Sequence, residues 1–151
     1  MKKIFVINGP NLNLLGVREP AIYGKETYDG LLESLRRYCL AKGIDVTFIQ
    51  SNHEGDLVDA IHRAFFEGAI GVVINPGAYT HTSIALLDAV KATSLPTVEV
   101  HISDVSKRED FRQISYIRAA CLATIAGHGT AGYTEAIDLL LAHAKESEAK
   151  A

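Results

Sequence analysis

VINGPNLNLLGVREPAIYG, residues 6–24, carries an apolar strand into Asn-Gly-Pro-Asn and then through about seventeen residues before a helical pattern begins. Strand-to-helix connections usually take roughly two to six residues, and longer ones in compact domains are more often lids or binding loops. The stretch holds Asn11, Asn13, Arg18, Glu19 and Tyr23, with Gly16 and Gly24 as candidate hinges. It reads as strand, functional loop, helix, the first unit of an α/β chain.

Downstream the alternation continues. Leu31, Leu32, Leu35, Tyr38 and Cys39 recur at helical spacing, with Thr27 as N-cap and Gly43 as stop. Residues 45–50 are β-branched and aromatic. A second helix follows with an apolar face of Leu57, Ile61, Ala64 and Phe65, ended by Gly68. GVVIN, residues 71–75, is the short, wholly apolar run that a strand buried on both sides needs. A third helix is expected from residue 82 or 83 to 93, a fourth strand from Pro96 to near Ile102, a fifth over 122–127 and a last helix from about 134. Such alternation implies an α/β fold, a five-stranded parallel sheet covered by helices on both faces as a three-layer sandwich, in flavodoxin-like order. Ligands in these sheets bind beyond the carboxyl ends of the strands.

At 151 residues the chain fits one domain, residues 1–151, with a frayed polar tail from about 145. A net charge of −3 without a basic run argues against nucleic acid, so an anionic ligand needs local arginines. The apolar run after Lys2 and Lys3 is too short for a signal-peptide core or a membrane span, which gives a cytoplasmic expectation with no membrane partner. Cys39 and Cys121 are far apart, and the six histidines, His53, His62, His81, His101, His128 and His143, form no His-x-x-x-His pair. No metal site is indicated. GxGxxG and GxxxxGK[ST] are both missing, so no nucleotide cofactor is implied.

The strands deliver Asn8 and Asn11, then Asn75 through His81, then His101 to Ser103, then His128 to one edge. Each alone is ordinary turn chemistry; together they make a candidate site. In Thr97-Val98-Glu99-Val100-His101 the period of two puts Glu99 and His101 on one face, roughly 7 Å apart. A carboxylate in a buried strand needs a partner, and a carboxylate beside an imidazole fixes its tautomer and favours its protonated form, as suits a general acid. A purely structural ion pair is the alternative. Tyr23, with an ordinary pKa of about 10, can serve as a base only beside cations, with Arg18 or Arg112 to supply the charge; otherwise it is a packed ring. His81 is either a ligand donor or the cap of the following helix.

NGPNLNLLGVREPAIYG, QSNHEGDLVDAI, INPGAYTHTSIALLDA, VEVHIS and RED-FR, in this order over residues 6–133, resemble the successive signatures of type II 3-dehydroquinate dehydratases. The resemblance implies a flavodoxin-like fold, no metal or cofactor, and a homo-oligomer, a dodecamer built from trimers. It implies Tyr23 as the base that takes the C2 proton of 3-dehydroquinate and Arg18 as the arginine that favours its phenolate. It further implies Asn11 as holder of a water against the enolate, His101 as the acid for the departing C1 hydroxyl, and Glu99 as its orienter. Asn75, His81, Ile102, Ser103 and Arg112 match the groups that grip the substrate, and Asp88 the residue that reaches a neighbouring subunit's site. The product is 3-dehydroshikimate, in the shikimate pathway to aromatic amino acids or in quinate breakdown.

Departures cluster after strand four: Asp104, Ser106, Ala123 and His128 stand where the family usually has Asn, His, Gly and an apolar residue. Asp104 beside Ser103 is expected to disfavour a carboxylate substrate. Two rivals stay open: a silent module that binds a small anion and does not depend on Tyr23 or His101, and a lyase or isomerase for another polyhydroxy acid.

Overall fold

The structure is a computed structural model that describes residues 1–17, 21 and 26–151. Its described strands form one parallel sheet, β1 (Lys2–Asn8), β2 (Ile44–Gln50), β3 (Gly71–Asn75), β4 (Thr97–His101) and β5 (Ala123–Ala126), in the order β2-β1-β3-β4-β5. This is the flavodoxin-like order expected from the alternation, with the switch between β1 and β3. Register brings Asn8, the last residue of β1, beside both Gln50 and Asn75, so three strands end level with one another.

Helices α1 (Tyr28–Ala41), α2 (Glu54–Phe66), α3 (Ile84–Thr93) and α4 (Ala131–Lys150) cover the two faces. The strand period of two sorts the core. Ile4, Val6, Val73, Val98 and Val100 pack with Leu31 and Leu35 of α1 and Ile137 and Leu140 of α4. Phe5, Ile7, Val72 and Ile74 face the other way, onto Leu57 and Ile61 of α2 and Leu86 and Val90 of α3. The side chains named in these two layers are almost wholly withdrawn from water, and at about 25 cal/mol per Å² of apolar area this burial is the main force holding the helices on the sheet. Caps fix the entries. Thr27 Oγ1 accepts from the Gly30 N–H at 3.1 Å and Ser83 Oγ from the Leu86 N–H at 3.0 Å.

Several local expectations change. Phe65 is 47% exposed, and Ala60 takes the inward position beside Leu57 and Ile61, because Phe65 lies to one side of the stripe that Leu57, Ala60, Ile61 and Ala64 form. The fourth strand starts at Thr97, after Pro96, and the fifth is shorter than expected. Helix α4 begins at Ala131 and runs to Lys150, so residues 145–150 are helical where a frayed tail was expected; Ala, Glu and Lys are strong helix formers, and the Glu148 carboxylate meets Lys2 Nζ at 3.2 Å.

Two loops interlock above the switch point. Gly9-Pro10 follows β1 and Pro76-Gly77 follows β3, and each glycine faces the other loop's proline. A Cβ on Gly9 would lie 2.3 Å from the Pro76 oxygen, and one on Gly77 would lie 3.0 Å from the Pro10 oxygen. Gly77 also holds φ +61°. Only residues without a side chain permit this backbone-on-backbone contact.

Candidate active site

Beyond the carboxyl ends of β1, β3 and β4 lies a cavity of about 270 Å³ lined by Asn11, Asn75, His81, His101, Ile102, Ser103, Arg108 and Arg112, among others. Each side chain arrives from a strand end or the turn after it. Asn11 adopts a left-handed conformation, φ 69°, which asparagine tolerates better than most residues, and its N–H is fixed by Asn52 Oδ1 at 3.0 Å. Asn75 ends β3, and His81 closes the short 3₁₀ turn Gly77–His81. His101 ends β4, with Ile102 and Ser103 next in line.

The face shared by Glu99 and His101 is as the strand period requires, and the two side chains are hydrogen-bonded through Glu99 Oε2 and His101 Nε2. Glu99 is completely buried. Ser115 Oγ donates to its Oε2 at 2.8 Å, Thr124 Oγ1 to its Oε1 at 3.0 Å, and the Arg118 guanidinium spans both oxygens at 3.4 Å. Burial disfavours the charged carboxylate, but the His101 hydrogen bond, the Ser115 hydroxyl and the Arg118 charge outweigh it and bring the carboxyl down to about 2. Glu99 is therefore an anion fully occupied in holding its neighbours. Its grip on Nε2 leaves Nδ1 as the His101 nitrogen for a ligand.

His81 is not the helix cap; Ser83 has that role. A carbonyl can only accept, so His81 Nδ1 donates to the Ile114 oxygen, at 2.7 Å, and Nε2 is left as an acceptor. Burial lowers the His81 pKa, opposed by the Ile114 hydrogen bond and aided by the Arg112 charge, and the net shift favours the neutral ring. Arg112 Nε reaches Glu109 Oε1 at 3.2 Å and its side chain still lines the cavity.

Asp104 does not face the cavity. Its carboxylate is folded back as an N-cap, accepting from the Ser106 N–H at 3.1 Å and the Ser106 hydroxyl at 2.5 Å, which holds it ionised in a local turn. Ser106 is thereby accounted for as well. His128 is paired at the surface with Glu135 at 2.6 Å, and Ala123 opens β5. Asp88 is exposed on α3 and is not among the cavity's lining residues. Arg18 and Tyr23 lie outside the described residues.

Sequence reasoning missed Arg108, which lines the cavity with Nη1 3.4 Å from Ser103 Oγ, although it stands in the quoted RED-FR run. It also missed Ser115, Arg118 and Thr124 around Glu99, and the asparagine–tyrosine chain behind Asn75. These contacts join residues far apart in sequence, and no spacing rule points to them. Among the described residues no cluster of three or more His, Cys, Asp or Glu is placed to hold a metal ion, and no helix is long and apolar enough to cross a membrane.

The profile of the family described as dehydroquinase class II matches residues 2–141. A 3-dehydroquinate dehydratase of Caldicellulosiruptor bescii is 53% identical over 137 residues, 91% of this chain and 94% of its own length. 3-Dehydroquinate dehydratase 1 of Corynebacterium efficiens is 55% identical over 139 residues, 91% of each chain. The crystal structure of the type II dehydroquinase from Butyrivibrio crossotus superimposes with a TM-score of 0.91 at 52% identity, over 92% of this chain and 97% of that one. With family match, sequence identity and fold in agreement over nine-tenths of its length, the chain belongs to the class II dehydroquinases.

Proposed function

We propose that this class II dehydroquinase converts 3-dehydroquinate to 3-dehydroshikimate by anti elimination of water through an enolate, as a single catalytic domain. The observation that carries the reading is the buried Glu99–His101 pair facing a cavity whose other walls bear Asn11, Asn75, His81, Ser103 and Arg112. A proton donor, neutral polar groups and cations around one small space suit a polyhydroxy carboxylate.

In this mechanism the Tyr23 phenolate, favoured by Arg18, takes the C2 proton, and the electron pair moves onto the C3 carbonyl oxygen. Asn11 holds a water against the resulting enolate, a preorganised dipole where charge develops. Collapse of the enolate forms the C1–C2 double bond and expels the C1 hydroxyl, which leaves as water with a proton from His101. Glu99 holds the ring for that transfer. Asn75, His81, the Ile102 backbone and Ser103 meet the substrate's oxygens, and Arg112 balances its carboxylate. The roles of Tyr23 and Arg18 come from the family resemblance.

The reading extends to a homo-oligomer, a dodecamer of trimers in the cytoplasm, serving aromatic amino acid biosynthesis or quinate breakdown. Asp88, exposed on α3, is then available to a neighbouring subunit's cavity, and the exposed Ile84, Phe111, Ile114 and Leu122 supply apolar surface for packing. The test of the reaction is ultraviolet absorbance of purified, metal-free protein with 3-dehydroquinate, with and without borohydride. Growth of the conjugated enone signal that resists borohydride is expected. No signal from folded protein favours the silent anion-binding module.

A further inference from the structure

Behind Asn75 runs a chain of buried polar groups whose direction is set by its first member. The Gly77 N–H, a backbone donor with no alternative, points at Asn75 Oδ1, at 3.2 Å. The other end of that amide, Nδ2, must then face Tyr133, to whose oxygen it donates at 3.1 Å. The phenol oxygen, having accepted, gives its own proton to Asn8 Oδ1, at 2.6 Å. Asn8 in turn presents Nδ2 to the Tyr28 oxygen, at 3.4 Å. Every donor from Gly77 through Asn75 and Tyr133 to Asn8 points the same way, with the Tyr28 oxygen as the last acceptor.

Such a chain is polarised cooperatively, and reversing the Asn75 amide would set donor against donor at Gly77 and oxygen against oxygen at Tyr133. Tyr133 and Asn8 are fully buried, so neither can turn to water instead. Burial raises both phenols, Tyr133 and Tyr28, which keeps them neutral hydroxyls able to accept and donate at once. Asn75 belongs both to this chain and to the wall of the cavity.

We propose that Tyr133, braced by Asn8, is a positioning residue that, as the second anchor beside the Gly77 N–H, holds the Asn75 amide in one orientation toward the cavity, and thereby sets the preference for a substrate bearing a ring hydroxyl at that wall. The proposal rests on the reading of Asn75 as a substrate-gripping residue. An amide held in one orientation meets a hydroxyl with its remaining N–H and lone pair at fixed places. A freely flipping amide does not discriminate.

The test compares kcat and KM for 3-dehydroquinate and its 4-deoxy and 5-deoxy analogues in the wild type, Tyr133→Phe, Asn8→Ala and Asn75→Ala. Asn8→Ala leaves the phenol in place but removes the acceptor of its proton, so it serves if Tyr133→Phe does not fold. In the wild type the full substrate is expected to beat one of the analogues. Tyr133→Phe and Asn8→Ala lose about ten-fold of that preference, through KM more than kcat, the equivalent of one well-made hydrogen bond. A purely structural role would weaken all three substrates in the same proportion, and that result in folded variants overturns the proposal. Preference retained in Asn75→Ala overturns instead the assignment of Asn75 as the hydroxyl's partner.

Discussion

Glu99 has no capacity left for substrate. Its two oxygens are taken by His101, Ser115, Thr124 and Arg118. Its folded pKa of about 2 lies below the ordinary 4.5, so the stabilisation that its ionised form contributes is present above about pH 4.5 and is lost as the pH falls toward 2. Thermal melts between these limits are expected to show a steep loss of Tm in the wild type and a shallower one in Glu99→Gln, whose neutral amide has no charge to lose. Equal slopes would show that the carboxylate is not held ionised by the fold. In the proposed mechanism the base is Tyr23, and Tyr23→Phe is expected to lower kcat by roughly a hundred-fold or more while leaving the circular dichroism spectrum unchanged. Wild-type turnover in that variant would reassign the base. The Glu99–His101 pair was legible in five letters, because strand period and the cost of a buried carboxylate together leave few alternatives. Arg118, nineteen positions later, was not, since its approach depends on where β5 and the preceding turn are laid down.

At the scale of elements, β3 and the cap of α1 stand where apolar runs and capping residues put them. Residues 71–75 could hardly be misread, being apolar up to Asn75 and bounded by Gly68 on one side and Pro76-Gly77 on the other. The errors lie where tertiary contact overrides local signal. Phe65 has the hydrophobicity of a core residue but the angular position of a surface one, and the end of α4 was polar enough to pass for coil although its composition favours helix. The interlocked Gly9-Pro10 and Pro76-Gly77 loops looked like two ordinary turns in the sequence. Their contact is tight enough that Gly9→Ala is expected to cost roughly 1–3 kcal/mol by forcing the loops apart, with a raised KM because Pro10 and Gly77 both line the cavity. Urea denaturation together with steady-state kinetics checks both effects, and an unchanged midpoint would mean that the loops part without strain.

For the whole molecule, fold order and site location were legible because alternation dictates a parallel sheet and a parallel sheet dictates where ligands bind. Asp104 shows the limit of that logic. Its charge was visible in the sequence, but its direction was set by a side-chain turn with Ser106 that takes it away from the cavity. The proposed assembly rests on the family resemblance, with Asp88 and the exposed apolar residues in support, rather than on anything in the chain's own cavity. Size-exclusion chromatography with light scattering is expected to give a mass near twelve times 16.4 kDa, and a monomeric peak with full activity would remove Asp88 from the site.

Asn75 also fastens the framework in a way that reaches past ligand binding. Its carbonyl takes the Gly9 N–H at 2.7 Å while its side chain takes the Gly77 N–H, so one residue staples both loops from below. Opening either loop pulls on the residue that holds the other, because both bonds end on Asn75. The two amides are therefore expected to exchange with deuterium at one common rate, slowly and together, as a single mechanical part. That side of the cleft is then expected to act as a fixed anvil while the rest of the cavity adjusts.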